Sequence, residues 1–378
     1  MNTSSLLPEG LRDRLPPVAE AGARVNRAIL DVLASHGYAR VAPPIAEFRE
    51  TLDGDGGDAV SGSNLGRDLL RFTDPVSQRT IAIRPDMTTQ VGRIASTRMA
   101  GAPRPLRLCY SGQVMKLRPS QLRPDREMLQ VGAELIGRDS VEAACEIVTL
   151  AVAALAATGA GPITVDITMP DLVMALAARD LPLPRDIIHA VQDRLDAKDA
   201  GGLAALGPAA AAYLPLIHAA GDFDQAHDAL RTLGDSPLLA ERLMRVAIIA
   251  HALAGKANVT LDPTERHGFE YQSWFGFSLF VAGHTGAVGR GGSYKVVHPD
   301  KEQEAATGFS LYPDPLIDAG LGYEAVSRRV FIPVGSDAAA VAALRASGWI
   351  TVAQLAESDD AVALGCTHRM DAGRPEAI

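Results

Sequence analysis

Apolar and polar residues recur with different periods along the chain, and each period predicts a type of secondary structure. In Val18–Ser35, the residues Val25, Ile29 and Leu33 recur at helical spacing and predict an amphipathic helix. Val141–Ala157 shows the same kind of pattern. Short apolar runs between turn-forming residues predict strands instead. These runs are Tyr38–Ala42, Leu69–Phe72, Thr80–Ile83, Arg107–Met115, Met128–Ile136, Pro162–Asp166, Val259–Leu261 and His267–Phe280.

From Pro170 to about Ala257 the pattern changes to Ala- and Leu-rich segments separated by short breaks. Such segments favour helices, which are predicted at Asp171–Ala178, Pro184–Leu195, Asp222–Leu233 and Pro237–Leu253. After residue 326 the chain predicts a small α/β unit and a frayed tail. Its strands are expected at Val330–Val334, Trp349–Gln354 and near Ala361–Gly365, its helix at Asp337–Ala346 and its tail at Gly373–Ile378.

The composition limits the classes of partner and the cellular compartment that we expect for this protein. The 378 residues carry a formal net charge of −9, which predicts no overall basic surface for nucleic acid. No apolar run approaches the ~20 residues that a membrane span needs, and the polar, proline-rich first residues do not have the pattern of a secretory signal. Cys109, Cys145 and Cys366 lack the spacing of a metal site. We therefore expect a cytoplasmic protein with reduced thiols, no metal, and neither a nucleic-acid nor a membrane partner.

One predicted strand carries candidate binding chemistry. Side chains on a strand repeat on one face every second residue, so Gln130, Gly132 and Glu134 share a face. This face offers an amide, a gap through which a ligand can approach the backbone, and a carboxylate. Together they form a credible cradle for an amine or an imidazole. The alternative interpretation is a solvent-facing polar row on a half-exposed strand.

A second candidate lies where a predicted strand gives way to a helix. Asp86 and Thr88 stand at this boundary, and a carboxylate and a hydroxyl can hold a ligand ammonium there. The alternative is helix capping, which both residue types do well. Further along, Val288–Val297 is rich in glycine and predicts a turn whose backbone a ligand can approach closely. His189, His218, His227 and His251 have no spacing that suggests a shared metal.

Several of these segments resemble the class II aminoacyl-tRNA synthetases in their histidyl form. Arg104–Gly137 resembles the second motif of that class, with Tyr-x-Gly at Tyr110 and Gly112 and Gln-x-Gly-x-Glu from Gln130 to Glu134. Weaker matches are Leu7–Arg12 at the start, Arg84–Thr88 against Arg-Pro-Glu-x-Thr, His267–Phe280 against Arg-Gly-Leu-Asp-Tyr-Tyr, Val288–Val297 against Gly-Gly-Arg-Tyr-Asp and Ala306–Leu316 against the third motif.

The resemblance spans residues 7 to about 316 and implies a fold. That fold is α+β, with a class II synthetase-like antiparallel sheet flanked by helices, a helical insertion and a small C-terminal α/β appendage. The implied domains are 1–326, with the insertion at about 170–257, and 327–378, which is too short for a full anticodon-binding domain. The helix, strand and proline layout of residues 18–44 is similar to the first class II motif, which implies a homodimer.

The resemblance also implies a histidine-binding site. Gln130, Thr88 and Asp86, the last in place of Glu, would hold the α-amino end. Glu134 and Tyr294 would face the imidazole, and Tyr271 matches the tyrosine of the family's Asp-Tyr pair. The implied ligand residues are Asp86, Thr88, Gln130, Glu134, Tyr271 and Tyr294.

The nucleotide side of the synthetase pattern is missing from the sequence. Lys116, His267 and Pro315 stand where the synthetases carry arginines that bind ATP. Arg118 replaces a Glu, and Gln272 replaces the second Tyr of the Tyr-Tyr pair. A lysine is a point charge without the bidentate fork of arginine, so even the mildest of these changes is not neutral.

These losses make the chain resemble the catalytically inactive histidyl-synthetase paralogues that serve as regulatory subunits of ATP phosphoribosyltransferase. This resemblance implies a non-catalytic protein without a cofactor, acting in histidine biosynthesis. Its partner would be a short-form catalytic subunit, with histidine as feedback effector and a homodimer within a hetero-oligomer. Two alternatives stay open: a divergent active histidyl-tRNA synthetase or other carboxylate-activating ligase, and a paralogue that regulates a different partner.

Overall fold

The computed structural model describes residues 6–52, 69–117, 125–231, 236–266, 272–323 and 328–378. The chain divides into two units, Met1–Gly322 and Tyr323–Ile378. The first unit contains two sheets and most of the helices. The second is a small sheet with one helix.

A nine-stranded sheet organises the first unit. Its strands are β1 Ala39–Arg40, β5 Leu106–Met115, β6 Glu127–Ile136, β7 Ile163–Thr168, β8 Gly221–Asp222, β9 Asn258–Leu261, β10 Gly276–Val281, β11 Gly289–Val297 and β12 Gln303–Leu311. They lie in the order β1-β5-β6-β12-β11-β10-β7-β9-β8. Pairing from β5 through β7 is antiparallel, as predicted, whereas β1 pairs with β5 and β7 pairs with β9 in parallel.

The two faces of this sheet differ in chemistry because side chains alternate along each strand. On β6, the buried residues Val131, Ala133 and Leu135 belong to the main apolar core. Helices α1 Val18–Ser35 and α4 Val141–Ala156 contribute to the same core. Each fully buried Leu or Ile contributes about 1.5–3 kcal/mol, so this face holds the sheet to its helices. The opposite face carries the polar groups of the candidate site.

The strand predicted at His267–Phe280 is shorter in the structure, since Gln272–Phe275 are not part of a strand and β10 begins at Gly276. The other helices and strands of the first unit lie close to the predicted positions. The hairpin of β3 Leu70–Thr73 and β4 Thr80–Ile83 is confirmed, and β2 Ala46–Phe48 joins it as a third strand. The Ala- and Leu-rich region forms α5 Leu172–Arg179, α6 Ile188–Asp196, α7 Ala200–Ala205, α8 Pro208–Ala211, α9 Leu214–His218, α10 Phe223–Arg231 and α11 Pro237–Ala252. Shorter helices are α2 Arg49–Leu52, α3 Thr88–Arg93, which continues as a π-helical turn over Ile94–Arg98, and α12 Asp314–Asp318.

The prediction of a glycine-rich turn at Val288–Val297 is wrong. The segment forms β11, a strand inside the large sheet that pairs with β10 and β12. Its glycines are required by close packing. A Cβ at Gly291 would lie 2.5 Å from ring atoms of Phe277, and one at Gly289 would lie 2.6 Å from Leu311.

The second unit is a four-stranded sheet in the order β14-β13-β15-β16. Its elements are β13 Arg329–Ile332, α13 Ala338–Ala346, β14 Ile350–Ala353, β15 His368–Asp371 and β16 Arg374–Ala377. Val330, Val341, Leu344 and Met370 form its core together with Ile332. Asp337 caps α13, since its Oδ2 accepts a hydrogen bond of 2.9 Å from the Ala340 N–H.

Two predictions for this unit are wrong. No strand forms at Ala361–Gly365, which is part of a turn. The tail does not fray either, because β16 pairs antiparallel with β15. Ala372 and Gly373, with φ of 44° and 82°, make the tight turn between these strands, and positive φ at both central residues matches the twist of a hairpin.

Two kinds of feature are absent from the part of the chain that the structure describes. None of the helices in that part of the chain has the length and apolar character that crossing a membrane requires. The same ranges contain no group of three or more His, Cys, Asp or Glu side chains placed to hold a metal ion.

Candidate functional site

A buried carboxylate is the centre of the candidate site. Glu134 lies on β6 and is only 1% exposed. The Tyr110 hydroxyl donates a hydrogen bond of 2.9 Å to its Oε1, and the Tyr294 hydroxyl donates one of 2.7 Å to its Oε2. Gln130 on the same face is also fully buried. The alternative interpretation of a solvent-facing row is therefore wrong.

Burial changes the protonation of this carboxyl group. Desolvation is the largest influence, and it raises the pKa of Glu134 to about 8 even though the hydrogen bonds from Tyr294 and Tyr110 lower it. Desolvation also raises the pKa of Tyr110 well above its ordinary value. At neutral pH the unliganded site therefore holds Glu134 mainly as the neutral acid. The O–H of this acid then donates to the Tyr110 hydroxyl, which donates in turn to Ser310 Oγ. A ligand that brings N–H donors would favour the ionised form.

The raised pKa predicts a pH-dependent stability. Between about pH 4.5 and pH 8, the folded protein keeps a proton on Glu134 that the unfolded chain releases. The folded state binds more protons in this window, so the free energy of unfolding falls as pH rises through it. We expect Glu134→Gln to remove this pH dependence. The difference in the free energy of unfolding between variant and wild type should therefore change by a few kcal/mol across this pH window. Urea unfolding at pH 5, 6.5 and 8 measures it.

The matched control for this experiment is Glu127→Gln. Glu127 begins the same strand but is only partly buried. Its replacement should leave the pH dependence of wild type unchanged. Parallel curves for wild type and Glu134→Gln would contradict the assignment.

The predicted amino-end residues meet around the amide of Gln130. Its Nε2 donates to Asp86 Oδ2 and to Ser310 Oγ, both at 2.7 Å, and its Oε1 accepts from the Met87 N–H at 2.9 Å. Asp86 Oδ1 accepts from the Thr88 N–H at 2.7 Å. Asp86 thus holds the start of α3, as the capping alternative predicts, and also faces the site through its other oxygen.

The hydroxyl of Thr88 faces the site and does not cap the helix. Its Oγ1 lies 3.3 Å from the Tyr110 hydroxyl, and the residue before it makes no side-chain cap. The structure therefore brings together all of the predicted ligand residues that it describes. Tyr271, like His267 and Arg118, lies outside the described residues.

Three glycines in register leave a trough across the sheet beside Glu134. Gly308 of β12 pairs with Glu134, Gly292 of β11 pairs with Gly308, and Gly276 of β10 pairs with Gly292. A Cβ at Gly308 would overlap the Glu134 carboxyl group, and one at Gly292 or Gly276 would overlap the Gln272 amide. These two side chains therefore fill the trough. Gln272 is 9% exposed, and its Oε1 meets no hydrogen-bond donor within the described ranges.

The remaining cavity is small. Glu134, Gln272, Tyr294, Ser310 and Arg290 are among the residues that line a volume of about 20 Å³. A volume of this size holds about one water molecule. A ligand the size of an amino acid can enter only if side chains such as Gln272 move out of the trough.

The gap expected at Gly132 is closed. The Tyr110 ring lies across it, because a Cβ at Gly132 would come within 2.6 Å of that phenol. Tyr110 and Ser310 also belong to the site, although neither is among the predicted ligand residues. Their hydroxyls are 3.0 Å apart. The Tyr-x-Gly match contained Tyr110 already, but its contact with Glu134 depends on the pairing of β5 with β6.

Pro315, which stands where the resemblance implies the third-motif arginine, has a structural role in this chain. Pro315 occupies the first turn of α12, where its fixed backbone and missing N–H are tolerated. Asp314 next to it is 5% exposed. Its Oδ2 accepts from the Leu129 N–H at 2.8 Å and pairs with Arg14 at 2.9 Å. Burial raises the pKa of Asp314 in spite of these partners. The start of α12 therefore braces β6.

Comparisons with known proteins support the fold described above. The family model for histidyl-tRNA synthetase matches residues 10–316. The chain shares its fold with a solved Bacillus halodurans C protein described as an ATP phosphoribosyltransferase regulatory subunit/histidyl-tRNA synthetase, with a TM-score of 0.80, 23% identity and 96% of each chain covered. It also shares the fold of histidyl-tRNA synthetase from Nostoc sp. PCC 7120, with a TM-score of 0.76, 15% identity and coverage of 97% of this chain and 91% of that one. The predicted fold class is thereby confirmed.

Relatives identified by sequence indicate a narrower family than the shared fold does. The chain is 44% identical to the ATP phosphoribosyltransferase regulatory subunit of Rhodospirillum centenum, over 99% of this chain and 96% of that protein. It is 40% identical to the protein of the same name from Paramagnetospirillum magneticum, over 97% of this chain and 96% of that one. With such similarity along almost its whole length, the chain belongs to the family of ATP phosphoribosyltransferase regulatory subunits.

Proposed function

We propose that this protein is the non-catalytic regulatory subunit of an ATP phosphoribosyltransferase in histidine biosynthesis, and that histidine is its effector. The observation that carries the proposal is the 44% identity to a protein of that name over 99% of the chain. The site supports it. Glu134 and the tyrosines that bond to it are buried. By contrast, Lys116, His267 and Pro315 replace the arginines that would bind ATP in a synthetase.

Histidine would bind with its ring at the Glu134 end. Glu134 would accept a hydrogen bond from an imidazole N–H and become ionised, and such charge-assisted bonds are the strong ones. Tyr294, which already donates to Glu134, would lie beside the ring, and the resemblance implies Tyr271 as a further ligand residue. The α-ammonium would lie at the other end, near Asp86, Thr88 and the amide of Gln130.

The closed trough offers a route from binding to regulation. Because the cavity of about 20 Å³ cannot hold the ligand, histidine must favour an arrangement of these side chains that differs from the unliganded one. An effector shifts an equilibrium only by its differential affinity for the two states. A typical coupling of about 1–3 kcal/mol would change the activity of a bound catalytic subunit by a several-fold to roughly hundred-fold factor.

The partner in this proposal is the short-form catalytic subunit, bound by a homodimer of this chain within a cytoplasmic hetero-oligomer. The test is gel filtration of the mixture with multi-angle light scattering, together with calorimetry of histidine against this protein alone. We expect co-elution of the two chains as one complex and saturable histidine binding. Separate elution at micromolar concentrations would contradict the partner, and absence of a binding isotherm would contradict the effector site.

A further inference from the structure

The polar end of the site has opposite charges on either side of one serine. Ser310 Oγ accepts from Gln130 Nε2 at 2.7 Å, and the same nitrogen donates to Asp86 Oδ2. On the other side, Arg290 of β11 is the register partner of Ser310. Arg290 therefore lies one strand spacing from Ser310, about 4.8 Å in a sheet, while Asp86 lies beyond the amide.

Strand alternation places Arg290 on the site face of the sheet. It has the same parity on β11 as Gly292 and Tyr294, which face Glu134. Arg290 is exposed and lines the small cavity together with Glu134 and Gln272. Among the described residues that line this cavity, it is the cationic one.

The charge balance of the site requires such a cation for an amino-acid ligand. Asp86 and Glu134 suit an ammonium and an imidazole, but neither can accept a carboxylate. A guanidinium presents a planar fork that binds a carboxylate through two parallel hydrogen bonds. We propose that Arg290 binds the α-carboxylate of the effector, so that the site selects amino acids with a free carboxylate. This inference rests on the proposed function of the site.

Gln272 supports a ligand that bridges both ends. Its buried amide lies over Gly292 and Gly276, and its Oε1 finds no donor among the described residues. An unpaired buried acceptor is costly, and a ligand N–H would satisfy it. Because an entering ligand displaces this amide from above the glycines, Gln272 would make that contact from its displaced position, while Arg290 holds the carboxylate.

Calorimetry with three probes tests the role of Arg290. The probes are histidine, histidinol, which has a hydroxymethyl group in place of the carboxylate, and histamine, which has a hydrogen. Wild type should bind histidine about 10- to 100-fold more tightly than either analogue, because losing a charged hydrogen-bond partner has an effect of this size. Arg290→Gln should weaken histidine binding by a similar factor and bring it close to the affinity for histidinol. Arg290→Lys should retain part of the preference.

Lys295→Gln is the matched control. Lys295 is exposed on the same strand but has the opposite parity, so it lies on the other face of the sheet. This variant removes the same charge and should bind all three probes as wild type does. The inference is overturned, with the effector site intact, if wild type binds histidine and histidinol equally or if Arg290→Gln keeps the preference. If wild type binds none of the probes, the proposed effector site falls and this inference falls with it.

Discussion

Histidine-dependent exchange of pyrophosphate into ATP should be at background with this protein. The reaction requires cations that stabilise charge developing on the phosphates, and each such donor is often worth about 3–4 kcal/mol. Lys116, His267 and Pro315 stand where three arginines are expected. Pro315 lies in the first turn of α12 and has no donor to offer. Losses at several positions multiply, so a residual rate would be lower by orders of magnitude.

The matched measurement uses an active histidyl-tRNA synthetase at the same concentration as a positive control. An exchange rate that increases in proportion to added protein would contradict the non-catalytic assignment and restore the alternative of a divergent synthetase. Fold similarity cannot decide between them. The Nostoc synthetase shares the fold over 97% of this chain, so the distinction depends on side chains at the nucleotide positions.

Glu134→Gln should weaken histidine binding by about 1.5–3 kcal/mol, which is roughly 10- to 100-fold in affinity. Gln has the shape of the neutral acid that the unliganded site holds at pH 7, since burial raises the pKa of Glu134 to about 8. The variant should therefore fold normally. It cannot ionise when an imidazole N–H arrives, so it loses the charge-assisted bond. Calorimetry at pH 7 measures the difference.

The control for this prediction is again Glu127→Gln, which leaves the buried carboxyl group in place. It should bind histidine as wild type does. Equal affinity of wild type and Glu134→Gln would move the effector away from Glu134. Glu134→Gln should still form the complex with the catalytic subunit, but histidine should inhibit that complex less.

The periods of apolar and polar residues predicted the features that depend on neighbouring residues in the sequence. The helix predicted at Val18–Ser35 has those bounds in the structure, because its apolar spacing alone selects the buried side. The shared face of Gln130 and Glu134 followed from the period of a strand. The alternation also separates this face from Val131, Ala133 and Leu135, which belong to the apolar core.

Contacts between distant segments could not be predicted in this way. The bond from Tyr110 to Glu134 joins residues 24 positions apart in the sequence, and the contact of Tyr110 with Ser310 joins residues 200 positions apart. Both depend on register, which a single sequence does not specify. This is why Gly132 was interpreted as a gap when the Tyr110 ring fills it.

The tail shows the same limitation. Pro375 argues against a strand, since proline cannot donate to a ladder. β16 nevertheless forms, because it is the edge strand of its sheet and Pro375 pairs with Met370 at that edge. Only the sheet order makes the proline acceptable.

Reconstitution of the transferase reaction tests the central proposal most directly. The short catalytic subunit is assayed for condensation of ATP with phosphoribosyl pyrophosphate alone, with this protein, and with this protein plus histidine. We expect weak activity alone, higher activity in the mixture, and inhibition of the mixture by histidine that Glu134→Gln blunts. A mixture that is no more active than the catalytic subunit alone, and that histidine does not inhibit, would contradict the proposal.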